Sequence, residues 1–332
     1  MSALVPTPSI LTTTYWLCRY AEQDPSILGS QDDPVQVLAF CTGLLPASAL
    51  VAARDTTELF DIGMEIINIT FRMAYEIDRR AHLIEETNRS WATTVVGKTP
   101  ENVQPILDQF HKAHESPYPK RVAIGVASNG WITLMGAPSS LARLMEFSKE
   151  LNDAPKMKTD TNGPVHTWFM PTFNIEKVLG TSPLLDTPIT SKSRIISPGS
   201  CKQYNHSTLR SLLAEIMIDI AHNILRINDT AEACISGLDS KRPVSLIVAG
   251  PTGHLTAVQR ILQSKGLEHQ LRQHRSPDTD VTRRGGSDLV AIVGMAGRFP
   301  GSDSIDGFFE DLNQGKIQIK KVSSSIHDNG NF

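Results

Sequence analysis

Val35-Gln-Val-Leu-Ala-Phe40-Cys41-Thr-Gly43, continued by Leu44-Leu-Pro-Ala-Ser-Ala-Leu-Val-Ala52, is the stretch whose reading decides the fold. Residues 35–40 form a compact apolar run with the length of a buried strand, and Cys41-Thr42-Gly43 are too small and too abrupt to continue it. From Leu44 to Glu86 apolar residues recur at three- and four-residue intervals with charge on the other side, which predicts helix. Pro46 falls in the first turn, where its missing N–H costs nothing. Gly63 predicts a break that divides the pattern into two helices. The unit is strand, sharp turn carrying a cysteine, helix.

That placement has chemical consequences. A side chain on a strand-to-helix turn projects beside the partial positive charge of a helix N-terminus, and the next backbone N–H can face a developing oxyanion. For cysteine the same environment lowers the thiol pKa. Cys41 is therefore a candidate nucleophile for acyl transfer, with Thr42 and Gly43 as elbow and oxyanion residues. Residue types alone leave another reading open: a cysteine after an apolar strand also serves as a small buried hydrophobe, and Gly43 serves close packing.

Working outward, residues 15–29 read as a short helix before the polar turn Gly-Ser-Gln-Asp-Asp-Pro34. Residues 91–165 alternate as strand (WATTVVG), helix with Thr99 as cap, strand (KRVAIGVAS), hairpin strand (GWITLMGA), helix (PSSLARLMEFSKEL) and extended return (MKTDTNGPVH). This β-α-β-β-α-β order predicts a ferredoxin-like insert ending beside His166. Residues 172–199 are loop-rich, 207–226 predict an amphipathic helix, PVSLIVAGPTG a buried strand entering a glycine turn, and 254–265 a helix. The alternation predicts an α/β core with a mainly parallel sheet. Residues 272–288 are polar, basic and aperiodic, as in a linker, and a new domain opens at Leu289.

Composition narrows the function. The chain has 332 residues, 40% of them hydrophobic and 20% charged, which is material for one large or two medium globular domains. With 32 Lys+Arg against 35 Asp+Glu, the net charge of -3 gives no basic footprint, so no nucleic-acid partner is expected. No apolar run reaches the roughly 18 residues of a membrane span, and Met1–Ile10 lacks the pattern of a signal peptide. No membrane role and a cytoplasmic address are expected. Cys18, Cys41, Cys201 and Cys234 sit at no metal-ligand spacing, which predicts free thiols and no metal site.

Phe40-Cys-Thr-Gly-Leu-Leu-Pro-Ala47, VAARDTTELFDIGMEI, FRMA, SWATTVVG and RVAIGVASNGWITLMGAPSSLARL occur in order across residues 15–265. In this the chain resembles the starter-unit acyl-carrier-protein transacylase domain of fungal non-reducing polyketide synthases. Leu289-VAIVGMAGRFPGSDSIDGFFEDLNQGK316 is similar to the opening of a β-ketoacyl synthase domain, which follows the transacylase domain in those enzymes. The resemblance implies a malonyl-CoA:carrier-protein transacylase-like fold, an α/β-hydrolase-like core with a ferredoxin-like insert. It divides the chain into a transferase domain at 1–271 containing the insert 91–165, a linker at 272–288 and a ketosynthase fragment at 289–332.

The same resemblance places the family's G-x-C-x-G nucleophile on Cys41, with Ala39 in place of the first glycine. The family's catalytic histidine, in a segment similar to H-A-P-H-L, falls on His166-Thr-Trp-Phe-Met170, so His166 is the implied base. His206, His222 and His254 are weaker substitutes. Arg72 is a weak candidate for the acyl pocket, with a salt bridge or helix-surface role as its alternative. Gly250-Pro-Thr-Gly253 lacks the Lys-Ser/Thr ending of a P-loop and reads as a turn near the site.

The family's first core strand and a Gly-Asp-Gln-type oxyanion loop have no counterpart before Tyr15, and the ketosynthase piece stops before that domain's catalytic residues, so a chain truncated at both ends is expected. The expected activity is transfer of a starter acyl group from acyl-CoA or an acyl carrier protein, through acyl-S-Cys41, to the phosphopantetheine of an acyl carrier protein in aromatic polyketide synthesis. No tightly bound cofactor is expected. The implied partners are an acyl carrier protein, other polyketide synthase domains and a fatty acid synthase donor. An inactive remnant that binds a partner, and a cysteine-dependent acyl hydrolase, are the alternatives.

Overall fold

In the computed structural model, residues 7–28, 35–157, 159–171, 173–190, 193–238, 243–250 and 254–273 are described. Helix α1 (Thr7–Gln23) precedes strand β1 (Gln36–Val37), which stops well short of the elbow. A single 3-10 turn, Cys41–Gly43, then feeds α2 (Leu44–Ala52), in which every residue is buried. A helix apolar on all sides belongs inside the core, and α2 is enclosed there by α1 and by the helices Thr56–Ile84 and Leu209–His222.

Helix α3 (Thr56–Ile84) is continuous through Gly63, contrary to the expected break. A Cβ at position 63 would sit 2.8 Å from the Thr14 methyl, so this glycine lets α3 approach α1 closely. The break lies earlier, where Asp55 takes extended backbone and its side chain accepts the Glu58 N–H to start α3.

The insert follows as β2 (Ala92–Val96), α4 (Pro100–Ala113), β3 (Val122–Ser128), β4 (Trp131–Gly136), α5 (Pro138–Phe147), α6 (Lys149–Asp153) and β5 (Lys156–Met157). Its four strands are antiparallel in the order β5-β2-β4-β3, which is 4-1-3-2 in the insert's own numbering, the ferredoxin-like arrangement. Val95, Val103, Leu107, Phe110, Ile132 and Leu134 form its separate apolar core. Thr99 occupies the N-cap of α4 without a side-chain capping bond, whereas Ser148 divides the second helix by accepting the Leu151 N–H. The β3–β4 register shifts between Ile124 and Val126, and a Cβ on the intervening Gly125 would lie 3.2 Å from the His166 Cβ. The bulge thus makes room for the histidine that follows the insert.

Beyond it come α7 (Ile175–Leu179), β6 (Arg194–Ile195), α8 (Leu209–His222), β7 (Leu225–Arg226), α9 (Ile227–Ser236), β8 (Val244–Val248), α10 (Leu255–Ser264) and β9 (His269–Gln273). The helix expected over 207–226 ends at His222 because Leu225–Arg226 join the insert's sheet, parallel to β3. Among the described residues the expected parallel sheet is two separate parallel pairs, β1–β6 and β8–β9. Residues 35–43 are accordingly only partly buried, where a strand flanked on both sides would be enclosed. β9 runs two residues into the stretch read as linker. The rest of that linker and the ketosynthase-like segment lie outside the described residues.

Candidate active site

Phe40 ends the extended segment (φ -129°, ψ 143°), Cys41 adopts φ 50°, and Leu44 is helical. The left-handed region costs a non-glycine residue about 1–2 kcal/mol, so the turn holds Cys41 under strain. The Gly43 N–H donates to the Phe40 carbonyl at 3.0 Å and locks the turn. That donor is therefore spent inside the elbow, which corrects its expected oxyanion role.

His166 is held from a different direction. Its N–H donates to the Ile220 carbonyl at 2.8 Å, and the Thr167 N–H donates to Ala221 at 2.9 Å. These acceptors belong to the last turn of α8, whose carbonyls lack helical partners. The backbone at His166 is left-handed too (φ 51°), and the residue is only 5% exposed.

The two strained residues meet across 125 positions of sequence: His166 Nε2 lies 3.2 Å from Cys41 Sγ. Nδ1 lies 2.9 Å from the Asn223 carbonyl oxygen. A carbonyl only accepts, so Nδ1 carries a proton and Nε2 of the neutral ring is the atom that takes the thiol's proton. Burial disfavours charge on either partner. It is outweighed by the attraction and hydrogen bond between them, aided by the Thr42 N–H at Cys41 and by the Asn223 and Asp219 backbones at His166. The Cys41 thiol is thus held below its ordinary range and the His166 imidazole above its own. The other cysteines differ: burial first, then Glu22, pushes Cys18 up, and burial pushes Cys234 up to about 11.

The remaining candidates separate. A Cβ at Gly43 would meet nothing within 4 Å, so the glycine does not serve close packing, and the space beside the elbow is open. Arg72 is engaged by neighbouring elements: its Nε donates to the Val178 carbonyl at 2.6 Å and its Nη2 to Leu179 and Glu65, each at 2.8 Å. It ties α3 to the C-terminal carbonyls of α7, a structural role. Arg72→Ala is expected to cost about 1–2 kcal/mol of stability in thermal or urea unfolding and to leave Cys41 reactivity unchanged. His206 pairs with Glu215. Of the turn at 250–253 only Gly250 is described, and a Cβ there would press on Thr13 Oγ1 at 3.0 Å.

Sequence reasoning missed Asn223, because it contributes a backbone carbonyl that any residue type supplies. It also missed an aromatic contact at the elbow. His254 meets Phe40 edge-on at 5.0 Å and stacks on Trp131 at 6.4 Å, so it bridges the insert's hairpin and the residue preceding the cysteine. Among the described residues no cluster of His, Cys, Asp or Glu could hold a metal ion, and no helix is long and apolar enough to cross a membrane.

Residues 4–166 match the family "Starter unit:ACP transacylase in aflatoxin biosynthesis". The non-reducing polyketide synthase stmB of Aspergillus ustus is 35% identical over 331 residues, covering 97% of this chain and 16% of the synthase. The chain spans about a sixth of the length of the curated relatives it matches first. Among solved structures, the malonyl-CoA:acyl carrier protein transacylase of Helicobacter pylori has a TM-score of 0.54 at 16% identity, covering 80% of this chain and 76% of that one. A malonyl-transacylase solved in complex with a type II polyketide synthase acyl-carrier protein has a TM-score of 0.52 at 11% identity, covering 79% and 75%. Over residues 4–166 the chain thus carries the sequence pattern of the starter unit:ACP transacylases, on the mixed α/β fold of the malonyl-CoA:acyl carrier protein transacylases.

Proposed function

We propose that this chain is an acyltransferase that moves a starter acyl group onto an acyl carrier protein for polyketide synthesis. The observation that carries the reading is the 3.2 Å contact between Cys41 Sγ and His166 Nε2, in a chain that matches the transacylase family. In the first half-reaction the Cys41 thiolate attacks the carbonyl carbon of an acyl thioester, and the Thr42 N–H, which bonds to Cys41 beforehand, turns to the oxyanion. Collapse breaks the carbon–sulfur bond of the donor, and the departing thiolate takes the Nε2 proton of His166. The enzyme is left as acyl-S-Cys41 with neutral His166.

In the second half-reaction the phosphopantetheine thiol of the carrier protein gives its proton to Nε2 and attacks the acyl-cysteine. Cys41 leaves as thiolate and the imidazolium is restored. Coenzyme A or a second carrier protein supplies the donor thioester. In this reading residues 1–271 are the transferase domain, and the resemblance of the segment from Leu289 supports a ketosynthase fragment at 289–332. The match to fungal non-reducing synthases supports aromatic polyketide assembly as the setting.

Intact-protein mass spectrometry tests the reading: the purified chain is incubated with acetyl-, butyryl- and hexanoyl-CoA, and a phosphopantetheinylated carrier protein is added last. An adduct on Cys41 that passes to the carrier is the expected result. Release of free acid from the adduct, with no loading of the carrier, identifies a hydrolase, and a folded chain that forms no adduct refutes the proposal.

A further inference from the structure

Behind His166 lies a buried polar chain that the proposed reaction does not touch. Asp219 sits in the last turn of α8 and is 5% exposed. Its Oδ1 accepts from Asn223 Nδ2 at 2.5 Å. Its Oδ2 accepts from Ser197 Oγ at 2.6 Å and from the Tyr204 hydroxyl. Ser197 is 2% exposed and Tyr204 is also buried. Burial, and then the neighbouring Asp219 charge, push the Tyr204 phenol far above its ordinary range, which keeps it a donor. Gly199 closes the cluster: a Cβ there would come within 2.7 Å of both Asp219 Oδ1 and the Asn223 Cβ.

These contacts give Asp219 three neutral donors and, among the described residues, no Lys or Arg partner. A buried carboxylate with no counter-ion is costly. The positive group on the far side of Asn223 is the His166 imidazolium, because the Asn223 carbonyl accepts from Nδ1 while the Asn223 amide donates to Asp219. One residue therefore bonds to the histidine through its backbone and to the carboxylate through its side chain.

We propose that Asp219 is a positioning residue for the Cys41–His166 pair, acting through Asn223: it fixes the carbonyl that orients the imidazole, and its negative charge favours the imidazolium and hence the thiolate. The proposal rests on the reading of Cys41 and His166 as the working pair. The titratable groups facing that pair are each other and Asp219, whose backbone bonds to His166 directly and whose carboxylate reaches it through Asn223, with Tyr204 behind it. His222 is turned to the Thr167 backbone with Arg80 beside it, and burial, then that arginine, lowers its pKa against the pull of the backbone bond.

The test needs no acyl donor, so it separates failure of this proposal from failure of the proposed activity. Alkylation of Cys41 by iodoacetamide is followed across pH by peptide mass spectrometry in the full chain, in Asp219→Asn, in Asn223→Ala and in the double variant. Removing the charge lowers the His166 pKa and raises that of Cys41. The ascending limb of the profile should therefore move up by about one pH unit, a tenfold loss of thiolate at fixed pH. Both single variants should move it in the same direction, and the double variant should add nothing, because the two residues act in series. A folded single variant with the wild-type profile, or shifts that add in the double variant, overturns the proposal. If Asp219→Asn fails to fold, Asn223→Ala decides alone, since it cuts the link and leaves the carboxylate in place. A merely structural role would lower the melting temperature without moving the profile.

Discussion

Cys41→Ala is expected to abolish the acyl adduct and to lower carrier loading by on the order of 10⁴ or more, the scale seen when a covalent nucleophile is removed. The loss should come without loss of fold. Alanine tolerates the left-handed φ of 50° no worse than cysteine does, and Cys41 is only partly buried, so little packing disappears. Intact mass and carrier loading read the chemistry, and a circular-dichroism melt reads the fold. Cys41→Ser should be nearly as inactive, because a hydroxyl does not ionise at this site and His166 would have to remove its proton during attack. Retention of the adduct in Cys41→Ala would show that another nucleophile carries the acyl group.

The second large effect is expected at His166. His166→Ala should lower acyl transfer by about 10²–10⁴, the contribution of a positioned acid–base group. Its pH signature is more telling than its size. In the wild-type chain the thiolate forms below the ordinary thiol pKa and the imidazolium persists above the ordinary imidazole pKa. Turnover should therefore rise with pH as the Cys41 proton leaves and fall as the His166 proton leaves, giving a bell. Without the imidazole only burial and the weaker Thr42 N–H bond act on Cys41. The alkylation profile should then rise above the ordinary thiol range near 8.5. A profile unchanged in His166→Ala would remove the histidine from the mechanism, whatever happens to the rate.

The parts of this arrangement visible in the sequence are those that a local pattern dictates. The apolar run at 35–40, the small residues at 41–43 and the helical periodicity from Leu44 specify a strand-to-helix turn, and the alternation over 91–157 specifies a ferredoxin-like insert. His166 became a candidate only through the family resemblance, because the contact that matters spans 125 positions and leaves no local trace. Gly63 misled for a related reason: it marks where another helix passes, which is tertiary information, and not where its own helix ends. Arg72 carries no mark in the sequence to distinguish a substrate ligand from a clamp on α7. Asn223 and Asp219 are ordinary residues at the end of an amphipathic helix, and their roles come from what lies opposite them.

Strand β7 has a mechanical consequence. A subdomain joined to its host by two connections can swing about them, and the insert is so joined through the segments before Trp91 and after Met157. Leu225–Arg226, however, leave the core directly after Asn223 and form the outer strand of the insert's own sheet, and the Asn228 side chain accepts from the Ser128 hydroxyl and the Asn129 N–H. That third attachment begins two residues from the carbonyl that holds His166. Rigid rotation of the insert away from the core would either break the β3–β7 pairing or pull the histidine away from the sulfur. The geometry of the pair is thus tied to the same weld that joins the insert to the core.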